Sequence, residues 1–111
     1  LLTEVEPHDC VLLAGDFNCL PPGVDPAQLG QAAVLYAEER TPIAPLYDVL
    51  QPALQDPGTY VPFGSNRADR TIDHAFVRGL EVLEAGVVPE GAAWSDHLPV
   101  KAVLRRVSST P

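Results

Sequence analysis

Apolar positions along this chain gather in short blocks, separated by stretches rich in proline and glycine. Cys10 to Ala14 is an unbroken apolar run, which predicts a short strand buried on both faces. It ends in Gly15-Asp16-Phe17-Asn18, and Pro21-Pro22-Gly23 make residues 16 to 24 a loop. In Thr71 to Val77, Ile72, His74 and Phe76 alternate with Asp73, Ala75 and Val77. That period of two predicts a strand with Asp73 on the face of Ala75 and Val77, and His74 on the other. Glu81 to Val88 and Leu98 to Leu104 predict two further strands, with a loop at 89 to 95. Asp25-Pro26 reads as an N-cap with proline at the first helical position, opening a short helix over Ala27 to Ala37 that Gly30 interrupts. Ile43 to Leu50 predicts a second short helix with Leu46, Val49 and Leu50 toward the core. Residues 1 to 6 read as the end of a helix broken by Pro7-His8-Asp9, where His8 has no companion in the sequence. Residues 52 to 70, rich in Pro, Gly, Asn and Asp, predict a surface loop with an extended piece at Thr59 to Val61. Without repeats or an internal boundary, residues 1 to 111 read as a single α+β domain: one β-sheet with flanking helices, and a polar tail over 106 to 111.

Composition narrows the function classes. At 111 residues and 46% hydrophobic, the chain has the apolar content for a core and not that of a disordered tail. Fifteen acidic residues against seven basic ones give a net charge of -8, and no basic stripe for nucleic acid is visible. This argues against tight nonspecific DNA binding. It leaves a phosphate substrate open, because a bound divalent cation reverses the local field. No apolar run approaches the ~20 residues of a membrane span. The chain holds no Met, so Leu1 is not expected to be a natural start; an upstream part is expected, and with it any targeting signal. Cys10 and Cys19 would lie ~30 Å apart along an extended segment, beyond disulfide reach, and read as free thiols.

Ionisable residues concentrate at three strand edges. Asp16 and Asn18 follow the first strand, Asp73 and His74 lie within TIDHAFV, and Asp96 and His97 precede the last strand in WSDHLPV. Such positions are held rigidly and open to solvent at a sheet's rim. Three carboxylates, an amide and an imidazole suit Mg²⁺ or Mn²⁺ better than zinc. A carboxylate can orient or deprotonate water, and an imidazolium can stabilise charge on a phosphoryl oxygen. A second carboxylate bonded to that imidazole would fix its tautomer and raise its pKa. Plainer accounts compete. Gly-Asp-x-Asn after a strand is good turn chemistry, His97 alone reads as a satisfied rim histidine, and His74 as structural or exposed. Arg67 and Arg70, flanking Asp69, read as part of a solvated loop before they read as phosphate contacts.

GDFN at 15 to 18, IDHAFV at 72 to 77 and SDHLPV at 95 to 100, in that order, resemble the endonuclease/exonuclease/phosphatase superfamily. Its members include DNase I-like nucleases, abasic-site endonucleases, sphingomyelinases and inositol-polyphosphate phosphatases. The resemblance spans roughly residues 10 to 105. It implies a Mg²⁺- or Mn²⁺-dependent hydrolase of phosphate esters, whether nucleic acid, lipid headgroup or small molecule. By the same resemblance, Asp16 would orient or deprotonate the attacking water, and Asn18 would position that water or a phosphate oxygen. Asp73 would hydrogen-bond His97, Asp96 would help hold the metal, and His97 would bind the scissile phosphate.

The resemblance is to a C-terminal half only. The family fold is a four-layer α/β/β/α sandwich, and the motifs of its first sheet, an early Asn and a metal-binding Glu, have no counterpart here, nor has a mid-chain motif with a catalytic His or Tyr. One sheet would then present an uncovered apolar face. The chain is expected to pair with a missing N-terminal half or a second copy of itself. The alternative to a hydrolase is a catalytically incompetent module that associates through that face.

Overall fold

The computed structural model describes residues 10–25, 27, 29–30 and 43–107. The segment at 1 to 6 and most of the helix expected over Ala27 to Ala37 lie outside the described residues. Two antiparallel sheets carry the rest. In the first, β1 (Val11–Asp16) and β2 (Gln51–Pro52) flank β3 (Asp73–Arg78), in the order β1-β3-β2. In the second, β4 (Leu80–Val87) pairs with β5 (Val100–Arg106). The sequence predicts one sheet; the break falls at Gly79, whose φ of 72° turns the chain between β3 and β4 in a conformation that favours glycine. Within the second sheet the register shifts between Val82 and Glu84, at Leu83.

β3 is the strand around which the core forms, because both its faces are apolar and both are covered. Phe76, fully buried, packs with Cys19, Ile43 and Leu50, and Phe17, Leu46 and Tyr47 close over this cluster. On the opposite face Ala75 and Val77 pack with Ala53 and meet Leu80, Val82 and Leu104 of the second sheet. The alternation read from Ile72 to Val77 holds: Asp73 lies on the Ala75–Val77 side, while His74 turns inward and is buried.

β1 corrects the expectation of burial on both faces. It sits at the edge of its sheet, so Val11 and Leu13 reach the core, whereas Leu12 is 56% exposed and Ala14 is exposed too. An apolar run does not reveal whether a strand lies at the centre or the margin of a sheet. Helix is sparse among the described residues. Among the described residues the α-helix is a single turn, α1 (Leu46–Val49), preceded by the turn 43–45. Leu46 and Leu50 face the core as predicted, but the helix stops at Val49, Leu50 is already extended, and Val49 is left 46% exposed. Residues 89 to 95, expected as loop, include a 3₁₀ turn at Pro89–Ala93. Neither Cys10 nor Cys19 forms a disulfide, as expected; Cys10 is exposed, and the buried Cys19 thiol donates to the Phe17 carbonyl at 2.9 Å.

Candidate functional site

The two sheets bring the ends of three segments together. β1 and β3 pair in a register that sets Asp16 opposite Asp73. Phe17, between Asp16 and Asn18, fixes the end of β1: its ring packs into the core cluster and its N–H donates to the Ile72 carbonyl at 3.0 Å. Asp16 Oδ1 then accepts the Asn18 N–H at 2.9 Å, and Asn18 takes a left-handed φ of 51° that asparagine tolerates. The turn chemistry of Gly-Asp-x-Asn is therefore real, and it leaves the Asp16 carboxylate at the rim, half exposed.

His97 reaches the same rim from the segment before β5. Its N–H donates to Ser95 Oγ at 3.0 Å, and its Nδ1 lies 2.7 Å from Asp73 Oδ2. An ionised carboxylate only accepts, so Nδ1 carries the proton and Nε2 points away from Asp73. Nε2 is 3.9 Å from Asp16 Oδ2. Asp73, largely buried, thus aims an imidazole that bridges toward a more exposed carboxylate. The imidazole is held above its ordinary value of 6.5, first by the hydrogen bond to Asp73, against the lowering effect of partial burial, and further by the charges of Asp73, Asp16 and Asp96.

A histidine whose pKa rises on folding stabilises the fold while it is protonated in both states, and this contribution fades as pH climbs through the folded value. A His97→Gln chain should therefore lose most stability relative to the parent between about pH 5 and 6.5, and the gap should narrow at more alkaline pH. Urea midpoints of both chains across that range check this. A gap that widens as pH rises would show that the Asp73–His97 bond does not favour the imidazolium.

Asp16, Asp73 and His97 offer ligand atoms that all lie within 4.8 Å of one another. Carboxylate oxygens with one imidazole nitrogen fit a hard divalent cation, and Asp16 gives it an exposed oxygen donor. Asp96 is exposed and stands outside that trio; its backbone carbonyl accepts the Val61 N–H at 2.7 Å, and its charge is felt at His97. Asn18 is exposed beside Asp16.

Other residues fall elsewhere. His74 is buried and structural, its Nε2 2.7 Å from the Cys19 carbonyl. Arg70 departs from the solvated-loop reading: it is buried, pairs with Asp69 through Nε–Oδ1 at 2.7 Å, and lies 4.7 Å over the Tyr60 ring. Arg67 is exposed as expected. Thr59 and Tyr60 join the site although no motif in the sequence marks them. The Tyr60 ring meets His97 edge-on at 5.5 Å, and Tyr60 bridges in antiparallel fashion to both Arg70 and His97. Their one visible signal was the extended piece at Thr59 to Val61. An open groove of about 420 Å³ runs from Asp16 and Asp73 along Leu12, Ala14, Val100 and Ala102.

Carboxylate, imidazole and second carboxylate in series make an acid–base centre of the kind hydrolases use. The chain belongs to the Endonuclease/Exonuclease/phosphatase family, whose model matches residues 2–97. Phosphate-ester hydrolysis is the general activity of that family, and divalent metals are commonly used within it. No curated protein and no solved structure matches the chain. Among the described residues no helix is long and apolar enough to cross a membrane.

Proposed function

We propose that this chain carries the Asp–His side of a Mg²⁺- or Mn²⁺-dependent phosphoesterase site, acting on a phosphodiester or phosphomonoester. The observation that carries the reading is the placement of His97 between Asp73, 2.7 Å from Nδ1, and Asp16, 3.9 Å from Nε2, at the sheet rim. Asp73 fixes the tautomer and orientation of His97. The protonated imidazole faces a phosphoryl oxygen through Nε2–H and offsets the negative charge that gathers there during displacement. Asp16 orients the attacking water and accepts its proton, and the Asn18 amide positions that water or a phosphate oxygen. Asp16 and Asp96 would supply carboxylate oxygens to a bound cation, and further ligands would come from an upstream half of the domain or a second copy. The cation, when bound, lowers the pKa of water and polarises the phosphoryl group.

Bis-p-nitrophenyl phosphate with and without Mg²⁺ tests this, with Asp16→Ala beside the parent chain. Mg²⁺-dependent release of nitrophenolate that disappears in the variant supports the assignment. Equal release from both would remove Asp16 from the chemistry.

One observation favours a second reading, an incompetent module that associates through its sheet face. Leu12 at 56%, Leu83 at 52% and Val103 at 39% are large apolar side chains left exposed on β1, β4 and β5. Light scattering on the same sample places any activity on a monomer or a dimer. A folded, inactive oligomer would favour the module.

A further inference from the structure

Thr59 is fully buried, and it touches the backbone on both sides of the Asp73–His97 pair. Its Oγ1 accepts two amide donors, Ile72 N–H at 3.0 Å and Asp73 N–H at 3.1 Å. Its carbonyl accepts the Leu98 N–H at 2.7 Å, one residue beyond His97, and its own N–H donates to the Arg70 carbonyl at 2.7 Å. Asp73 and His97 lie 24 residues apart in the chain, Asp73 at the start of β3 in the first sheet and His97 in the segment before β5 of the second. Thr59 thus ties the Asp73 amide through its side chain to the residue after His97 through its backbone.

We propose that Thr59 is a positioning residue: its hydroxyl oxygen fixes where β3 begins, its carbonyl fixes the segment carrying His97, and together they set the Asp73–His97 hydrogen bond. The neighbouring contacts agree with this role. Thr71 Oγ1 accepts the Gly58 N–H at 2.8 Å, so the chain before Thr59 is tied to the same strand entry. Tyr60, directly after it, lays its ring against the imidazole, and the buried Arg70 guanidinium backs that ring. Both lone pairs of the Thr59 oxygen are engaged by amides, so a side chain of the same shape without the oxygen leaves two inward-facing donors unmatched. The segment would then shift to rehydrate them, and Asp73 would shift with it.

The importance of this placement for turnover rests on the phosphoesterase reading; the placement itself does not. The test therefore has a readout that needs neither substrate nor metal. The hydrogen-bonded Nδ1 proton of His97 is expected as a low-field resonance in the ¹H NMR spectrum of the parent chain, assigned by its loss in His97→Gln. Thr59→Ser keeps the oxygen and should keep the resonance. Thr59→Val keeps the shape and should shift it upfield or lose it to solvent exchange, in a chain whose amide spectrum stays dispersed. Where hydrolysis is measurable, Thr59→Val should lower kcat by about 10²-fold, the scale of an ångström's misplacement, with KM little changed, and Thr59→Ser should restore it. An unaltered Nδ1 resonance in folded Thr59→Val overturns the proposal, as does its absence from the parent. Should Thr59→Val not fold, Thr59→Ser decides: a folded Ser chain without the resonance overturns the proposal, and one that retains it upholds it.

Discussion

His97→Ala should abolish nearly all Mg²⁺-dependent phosphodiester turnover, with kcat falling by about 10²–10⁴, the range contributed by a well-placed proton donor. The expectation follows from what the imidazole links. Its Nδ1 is held 2.7 Å from Asp73 Oδ2, and its Nε2 is 3.9 Å from Asp16 Oδ2. Truncation removes the group proposed to face the phosphate and leaves the largely buried Asp73 carboxylate without its imidazole partner. Asp73→Asn makes a sharper comparison. It keeps the size of the side chain but lets the amide pair with either ring tautomer, so Nε2 is no longer reliably the proton-bearing atom. Its kcat should fall as well, with KM close to that of the parent. Steady-state kinetics at saturating Mg²⁺ on both variants checks this. A His97→Ala chain within threefold of the parent would place the phosphate-facing group elsewhere.

Phe76→Ala should cost about 3–5 kcal/mol of folding stability, the range for deleting a fully buried aromatic. Domains of this kind hold roughly 5–15 kcal/mol in all, so this one change would bring the chain close to unfolding. Phe76 lies on the central strand, and Tyr47 and Phe17 meet its ring edge-on at 5.1 and 5.9 Å, while His74 stacks nearby at 6.1 Å. One turn of helix and the loop after β1 cannot both close the gap that alanine would leave. Because Phe17 lies between Asp16 and Asn18, the loss should also loosen the end of β1 and expose the site to local opening. Urea denaturation reads the effect as a lower midpoint with an unchanged slope. A midpoint shift worth less than about 1 kcal/mol would mean that the core does not depend on this ring.

The strands were legible because their side chains alternate or run apolar without interruption, and β3, β4 and β5 fall within two residues of where the pattern puts them. Asp73 was legible for the same reason: a carboxylate sharing a face with Ala75 and Val77 requires a partner. What could not be read was position within a sheet. The run from Cys10 to Ala14 looks alike at the centre and at the edge, and it is the partner strands that leave Leu12 exposed. Nor could the break into two sheets be read, since it depends on one glycine's backbone angle. Thr59 was out of reach for a further reason. Its hydroxyl bonds residues 13 and 14 positions away, and a buried acceptor of backbone amides leaves no period or motif in its own neighbourhood. Asp96 marks the opposite case. The SDH motif is unmistakable in the sequence, yet the carboxylate stands apart from the trio that its neighbour His97 joins.

The segment from Tyr60 to Arg70 closes on itself. Thr59 N–H and Tyr60 N–H both donate to the Arg70 carbonyl, and Asp69 N–H returns to the Tyr60 carbonyl at 3.1 Å. Residues 62 to 68 therefore leave and re-enter the fold at one clasped point, and the Asp73–His97 pair adjoins the clasp through Thr59 and Tyr60. Such an arrangement separates what can vary from what cannot. Lengthening the excursion adds little to the entropy of closure, about 0.6 kcal/mol for each doubling. A lineage could rebuild this loop repeatedly, changing what it offers to an incoming molecule, while the apparatus beneath it is inherited intact.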